Sequence, residues 1–161
     1  MVKYFTYRII SELKINLEYY SGLTYLNDLI EVRNELIKEK SLNPEFNFIV
    51  DLRDANFDLH SNIVEEFISY VKFKTDLLWK RKTAILSHTP NQTAFSILYI
   101  SDLGQVPMKV NSFSTLDSAL KWVNLSPSDK PVIEQVIADI KHNILLKNND
   151  KKDAEKGRGG T

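Results

Sequence analysis

Apolar residues recur along this chain first at every second position and then at every third or fourth, and the changes of period mark out its elements. VKYFTYRIIS and LKINLEYYSG are rich in β-branched and aromatic residues. In the second, Leu13, Ile15, Leu17 and Tyr19 fall on one face, the period of a strand. The polar SELK between them predicts a tight turn and an antiparallel pair. Beyond Gly22 the period lengthens: Leu26, Leu29, Ile30, Leu36 and Ile37 form a helical stripe, with Thr24 as its N-cap. SLNPEFN interrupts that helix. The nearly unbroken apolar run FNFIVDLRD then predicts a strand buried on both faces, as parallel strands are.

The alternation repeats. Ile63, Val64, Phe67, Ile68 and Val71 sit at helical spacing, and an aromatic stripe through Phe67, Tyr70, Phe73, Leu77 and Leu78 reads as core. KTAILSH is a short buried strand, NQTAFSILYISDLG a helix ending near Gly104, and PMKVNSF a last strand. Leu116, Ala119, Leu120 and Val123 form the inner face of a short helix capped by Ser114 or Thr115. The order ββαβαβαβα predicts an α/β fold: a mixed, mostly parallel sheet with an antiparallel edge strand and helices on both faces.

After LSPSDK comes an extra C-terminal helix, with Pro131 in its first turn. Its stripe is Val132, Ile133, Val136, Ile137, Ile140 and Ile144. Past Leu146 the composition turns charged and glycine-rich, which predicts disorder. The expected organisation is a domain over 1–125, an amphipathic helix over 128–147 and a disordered tail over 148–161. Such a stripe must be covered, by the domain itself or by the same helix of a second chain. A homodimer through 131–146 is the expectation.

Composition adds exclusions. The 161 residues, 43% apolar and 26% charged, suit one domain of ordinary size. Lys plus Arg and Asp plus Glu are 21 each, so no net field draws the chain to nucleic acid or an acidic membrane. Cysteine is absent, which removes disulfides, thiolate nucleophiles and Cys-bound zinc. The N-terminus resembles neither a signal peptide nor a membrane span, so a cytoplasmic location is expected. Of five glycines, Gly157, Gly159 and Gly160 lie in the tail, while Gly22 and Gly104 stand alone. No phosphate loop is therefore present. His60, His88 and His142 lack metal-ligand spacing, and no serine sits in a nucleophile elbow. No catalytic residue, cofactor or metal is expected.

In an open α/β sheet, ligands gather beyond the carboxyl ends of the parallel strands. Asp51, Asp54, Asp58, His60 and Ser61 follow the third strand and His88 follows the fourth, so they form a candidate crevice. The same residues also read as a helix start, with Glu65 closing a capping box on Asn62. In SYVKFKTDLLWKRK, Tyr70, Phe73 and Trp79 interleave with Lys72, Lys74, Lys80, Arg81 and Lys82. With zero net charge, that segment reads as a solvated helix end rather than a nucleic-acid or lipid surface.

YSGLT, KTAILSHTPNQTAFSILY and above all VNSFSTLDSALKWV resemble the SpoIIAA-like branch of the STAS domains, with Phe113, Thr115, Ala119 and Trp122 carrying the closing phrase. The resemblance covers about residues 1–125. It implies a bacterial regulatory module without enzymatic activity that works by contact with a protein partner. It also implies a phosphoacceptor at Ser61, where Leu59, His60 and Asn62 replace the family's Asp-Ser-Ser-Gly character. A carrier of a small apolar or lipid-like ligand is the alternative.

Overall fold

The computed structural model describes residues 4–74, 76 and 78–158, with side chains as far as 149. Leu77 of the aromatic stripe thus lies outside the described residues. Strands β1 (Phe5–Ile10) and β2 (Ile15–Thr24) pair antiparallel, from Phe5 opposite Tyr20 to Ile10 opposite Ile15. The turn between them is a single 3-10 turn closed by Lys14 in the left-handed region, at φ 54°. Then follow α1 (Leu26–Ile37), β3 (Asn47–Phe57), α2 (Ile63–Phe73), β4 (Lys82–Leu86), α3 (Pro90–Leu103), β5 (Lys109–Phe113), α4 (Leu116–Trp122) and α5 (Lys130–Arg158). The sheet has five strands in the order β1-β2-β3-β4-β5, and every pairing from β2 onward is parallel.

That order explains the layers. When spatial order follows chain order, successive right-handed crossovers put their helices on the same face. Tyr20, Phe48, Val50, Leu52 and Ile85 accordingly pack with Leu29 and Val32 of α1, Phe67 and Val71 of α2, and Phe95 and Tyr99 of α3. The opposite face carries Ile15, Leu17, Ile49, Ala84 and Leu86. Helix α4 spans only 7 residues and is too short to cover it. Helix α5 completes the cover, with Ile133, Ile137 and Ile140 buried against the sheet and Val136 and Ile144 packed at the margin.

The isoleucine stripe is therefore met within the chain, so the stripe itself lends no support to the expected homodimer through 131–146. That expectation rested on an uncovered face, and the face is covered. The backbone also stays helical to Arg158, past the point where composition predicts disorder. Lys, Glu and Ala favour helix, and extending an existing helix needs no new nucleus.

Three local details differ from the sequence reading. Tyr25, not Thr24, is the N-cap of α1, and its N–H donates to Asp28 Oδ2 at 2.8 Å. Phe73 is 81% exposed, because helical spacing puts it on the side of α2 opposite the buried Ile63, Val64, Phe67, Ile68 and Val71. Arg81 belongs to no solvated helix end: it is buried, with its guanidinium over the rings of Phe48 and Trp79.

Candidate functional site

Strand β3 outruns β4. Their pairing stops at Asp51 opposite Leu86, yet β3 continues to Phe57. The freed edge is taken up by the first turn of α3. Asn91 receives the Phe57 N–H and donates to the Phe57 carbonyl, both at 2.8 Å, as a neighbouring strand would. Buried Gln92 donates to the carbonyls of Arg53 and Ala55, at 3.0 and 2.9 Å. Its own oxygen accepts the N–H groups of His88 and Thr89, and Thr89 caps the helix through the Gln92 N–H. The hydroxyl- and amide-rich HTPNQT segment thus serves backbone geometry.

On the other side of β3 the register with β2 shifts between Tyr19 and Ser21, which oppose Asp51 and Asp54. This bulge and the α3 seat separate the residues of the expected crevice. Asp51 is fully buried and held bidentately by Arg53, with Nε to Oδ1 at 2.9 Å and Nη2 to Oδ2 at 2.8 Å. Asp54 accepts from Tyr19 Oη at 2.8 Å and forms an ion pair with Lys141 of α5 at 2.7 Å. Burial acts to raise the Asp54 pKa, but the bonds from Lys141 and Tyr19 prevail and hold it below the ordinary carboxylate range. Burial, then the bond to Asp54, pushes the Tyr19 phenol up. Asp51 is shut inside the protein, whereas Asp54 lies at the surface and fastens Tyr19 and α5.

Asp58, His60 and Ser61 lie together beyond the end of β3. Asp58 Oδ1 accepts the His60 N–H at 3.1 Å, and its carbonyl accepts Ser61 Oγ at 2.6 Å. Asn62 starts α2 without a side-chain capping bond, so the capping box with Glu65 does not form and the Asp58 turn stands in its place. Ser61 borders a shallow depression of about 210 Å³ that also includes Glu65 and Asp102.

His88 lines a different concavity, an open groove of about 550 Å³ between α3 and the edge strand β5. Ile97, Ile100 and Phe113 give it apolar surface, and Ser87, Thr93 and Ser112 give it hydroxyls. Ser87 Oγ lies 3.1 Å from Ser112 Oγ. No carboxylate or Lys/Arg side chain lines this groove. Its lining offers hydrogen bonding and apolar contact, with the His88 imidazole in the same wall as the hydroxyls of Ser87, Thr93 and Ser112. Among the described residues, no group of three or more His, Cys, Asp or Glu side chains is placed to hold a metal ion.

A polar cluster inside the core was not foreseen. Glu18 of β2 is fully buried and accepts from Arg33 of α1, Asn16 and Tyr20. Burial opposes the Arg33 charge and Glu18 outweighs it, so the guanidinium is held above its ordinary range. Burial, followed by repulsion from Arg33, pulls Arg81 down to about 10. One signal for the cluster was present: Arg33 sits on the apolar stripe of α1, between Leu29 and Leu36.

No protein-family model matches the chain, and no curated protein matches it. A solved structure does: an uncharacterised protein from the DUF3478 family with a SpoIIAA-like fold from Shewanella loihica PV-4. The match has a TM-score of 0.50 and 16% identity, and it covers 74% of this chain and 93% of that one. The chain has a SpoIIAA-like fold, and at this identity the likeness extends to the fold alone. No helix among the described residues is long and apolar enough to cross a membrane.

Proposed function

We propose that this protein is a non-enzymatic interaction module that recognises a protein partner through the groove between α3 and β5. One contrast carries the reading: the core is closed while the groove is open. The interior cavity lined by Phe67 and Phe95 measures about 20 Å³, against about 550 Å³ for the surface groove. An apolar ligand needs a pocket of several hundred Å³. Among the described residues, the interior cavity is thus too small to support the carrier alternative.

The groove has what a peptide segment requires. Among the described residues, strand β5 pairs with β4 alone, so its outer edge offers backbone donors and acceptors. Ile97, 58% exposed, stands beside it as an apolar anchor. In this reading Ser61 serves the turn before α2 rather than phosphate-dependent switching. Its hydroxyl is already given to Asp58, and Glu65 in the same depression would repel a phosphate.

The test is capture from the source cell with the full chain, the Ile97→Glu variant and a control, Leu145→Glu, on exposed surface far along α5. A partner held by the wild type and the control but lost with Ile97→Glu supports the groove. Retention by all three overturns it. Native mass spectrometry of the same preparations checks the carrier: a stoichiometric small apolar molecule would contradict the closed core.

A further inference from the structure

We propose that the partner segment joins the sheet as an added strand on β5 and carries an acidic side chain that faces Lys82 and Lys109. This rests on the groove reading above and names the chemistry of what the groove accepts.

Two hydrogen bonds fix which way β5 faces. The Lys109 N–H donates to the Arg81 carbonyl at 2.8 Å, and the Phe113 carbonyl accepts the Ser87 N–H at 3.0 Å. Backbone groups alternate in direction along a strand, so Lys109, Asn111 and Phe113 bond to β4 while Val110 and Ser112 present theirs outward. At that outer edge the Ser112 N–H is held by its neighbour's side chain, Asn111 Oδ1, at 2.9 Å. A carbonyl from an incoming strand can take the place of that amide. Val110 and Ser112 are thus the two residues through which an added strand pairs.

Side chains alternate in the same way. Lys109, Asn111 and Phe113 share one face of β5, the face on which Phe113 meets Trp122. Lys82 of β4 stands opposite Lys109 in the register, so the two lysines share that face as well. Like charges directly opposite each other are unfavourable. The Lys82 ammonium turns to Asn124 Oδ1, at 3.0 Å, and to the Trp122 ring. Among the described residues neither lysine has a carboxylate partner. The groove end of β5 has the opposite character: Ile97, Ile100 and Phe113 line it, and no carboxylate or Lys/Arg side chain does. A complementary strand is apolar beside Phe113 and acidic beside Lys109, four residues away on the same face.

The experiment is selection of random dodecapeptides displayed on phage against the immobilised full chain, as wild type, Lys109→Glu and Ile97→Glu. Lys109 and Ile97 are both exposed, so the variants keep the fold. Peptides enriched on the wild type should carry an apolar residue with Asp or Glu four positions from it. On Lys109→Glu that acidic position should turn to Lys or Arg while the apolar one is kept. A synthetic peptide of the wild-type consensus should bind Lys109→Glu about five- to tenfold more weakly than wild type. Peptides that need Ile97 yet are the same for wild type and Lys109→Glu overturn the added acidic strand and leave the groove reading standing. Peptides indifferent to Ile97→Glu overturn the groove reading and this proposal with it. If no peptide is enriched, the proposal is overturned, and the capture experiment above still decides the groove.

Discussion

Glu18 of β2 and Arg33 of α1 form an ion pair inside the core, with both side chains shut away from solvent. Removing one partner of such a pair strands the other, whereas removing both with apolar residues is often tolerated. Glu18→Gln should therefore cost about 3–5 kcal/mol in urea unfolding. Glu18→Leu combined with Arg33→Met should cost far less than the two single changes added together. A double variant that loses the full sum would show that the pair is not coupled.

Gln92 joins α3 to the bulged part of β3 with all its hydrogen-bonding capacity in use. Gln92→Leu keeps the bulk but leaves carbonyls and N–H groups unpaired in the interior. The expected loss is on the order of 3 kcal/mol. Hydrogen exchange at His88 and Thr89, whose N–H groups lose their acceptor, should accelerate beyond what global destabilisation explains.

The Asp54–Lys141 bond ties α5 to the sheet and carries a pH dependence of known sign. The folded-state pKa of Asp54 lies below its ordinary 3.8, so its contribution is complete above that value and is lost as pH falls through the folded pKa. Urea midpoints of wild type and Asp54→Asn should differ at neutral pH and converge in acid, below the carboxylate range. Parallel curves down to the lowest pH would mean that the bond contributes nothing.

Much of this architecture was legible in the chain. The strand-and-helix order followed from the changes of period, and the run FNFIVDLRD marked a strand covered on both faces, as β3 is. The inward charges were harder to read. Asn16 and Glu18 alternate with Ile15, Leu17 and Tyr19, and alternation reads as an apolar face backed by a wet one. Only the crossing of α1 over that second face makes it interior. Arg81 hid in a basic run for the same reason.

Non-local geometry divides the residues of the expected crevice: Asp58, His60 and Ser61 lie together, apart from Asp51 and His88. Neither the β3 bulge nor the seating of Asn91 and Gln92 on its edge has a signature in the residues near Asp51 or His88. The apolar stripe of α5 was plain, but what covers it depends on strand order. Sequential order leaves one face of the sheet to α4 alone, and α4 is too short.

Central to the account is recognition at the groove between α3 and β5. Hydrogen–deuterium exchange of the full chain, free and saturated with the captured partner, tests this most directly. Since β5 is an edge strand, part of its backbone is open to exchange until something pairs with it. Binding should slow exchange across Lys109–Phe113 and along the groove-facing part of α3 around Ile97 and Ile100. Unchanged exchange there, with protection instead around Ser61 or along α5, would contradict it.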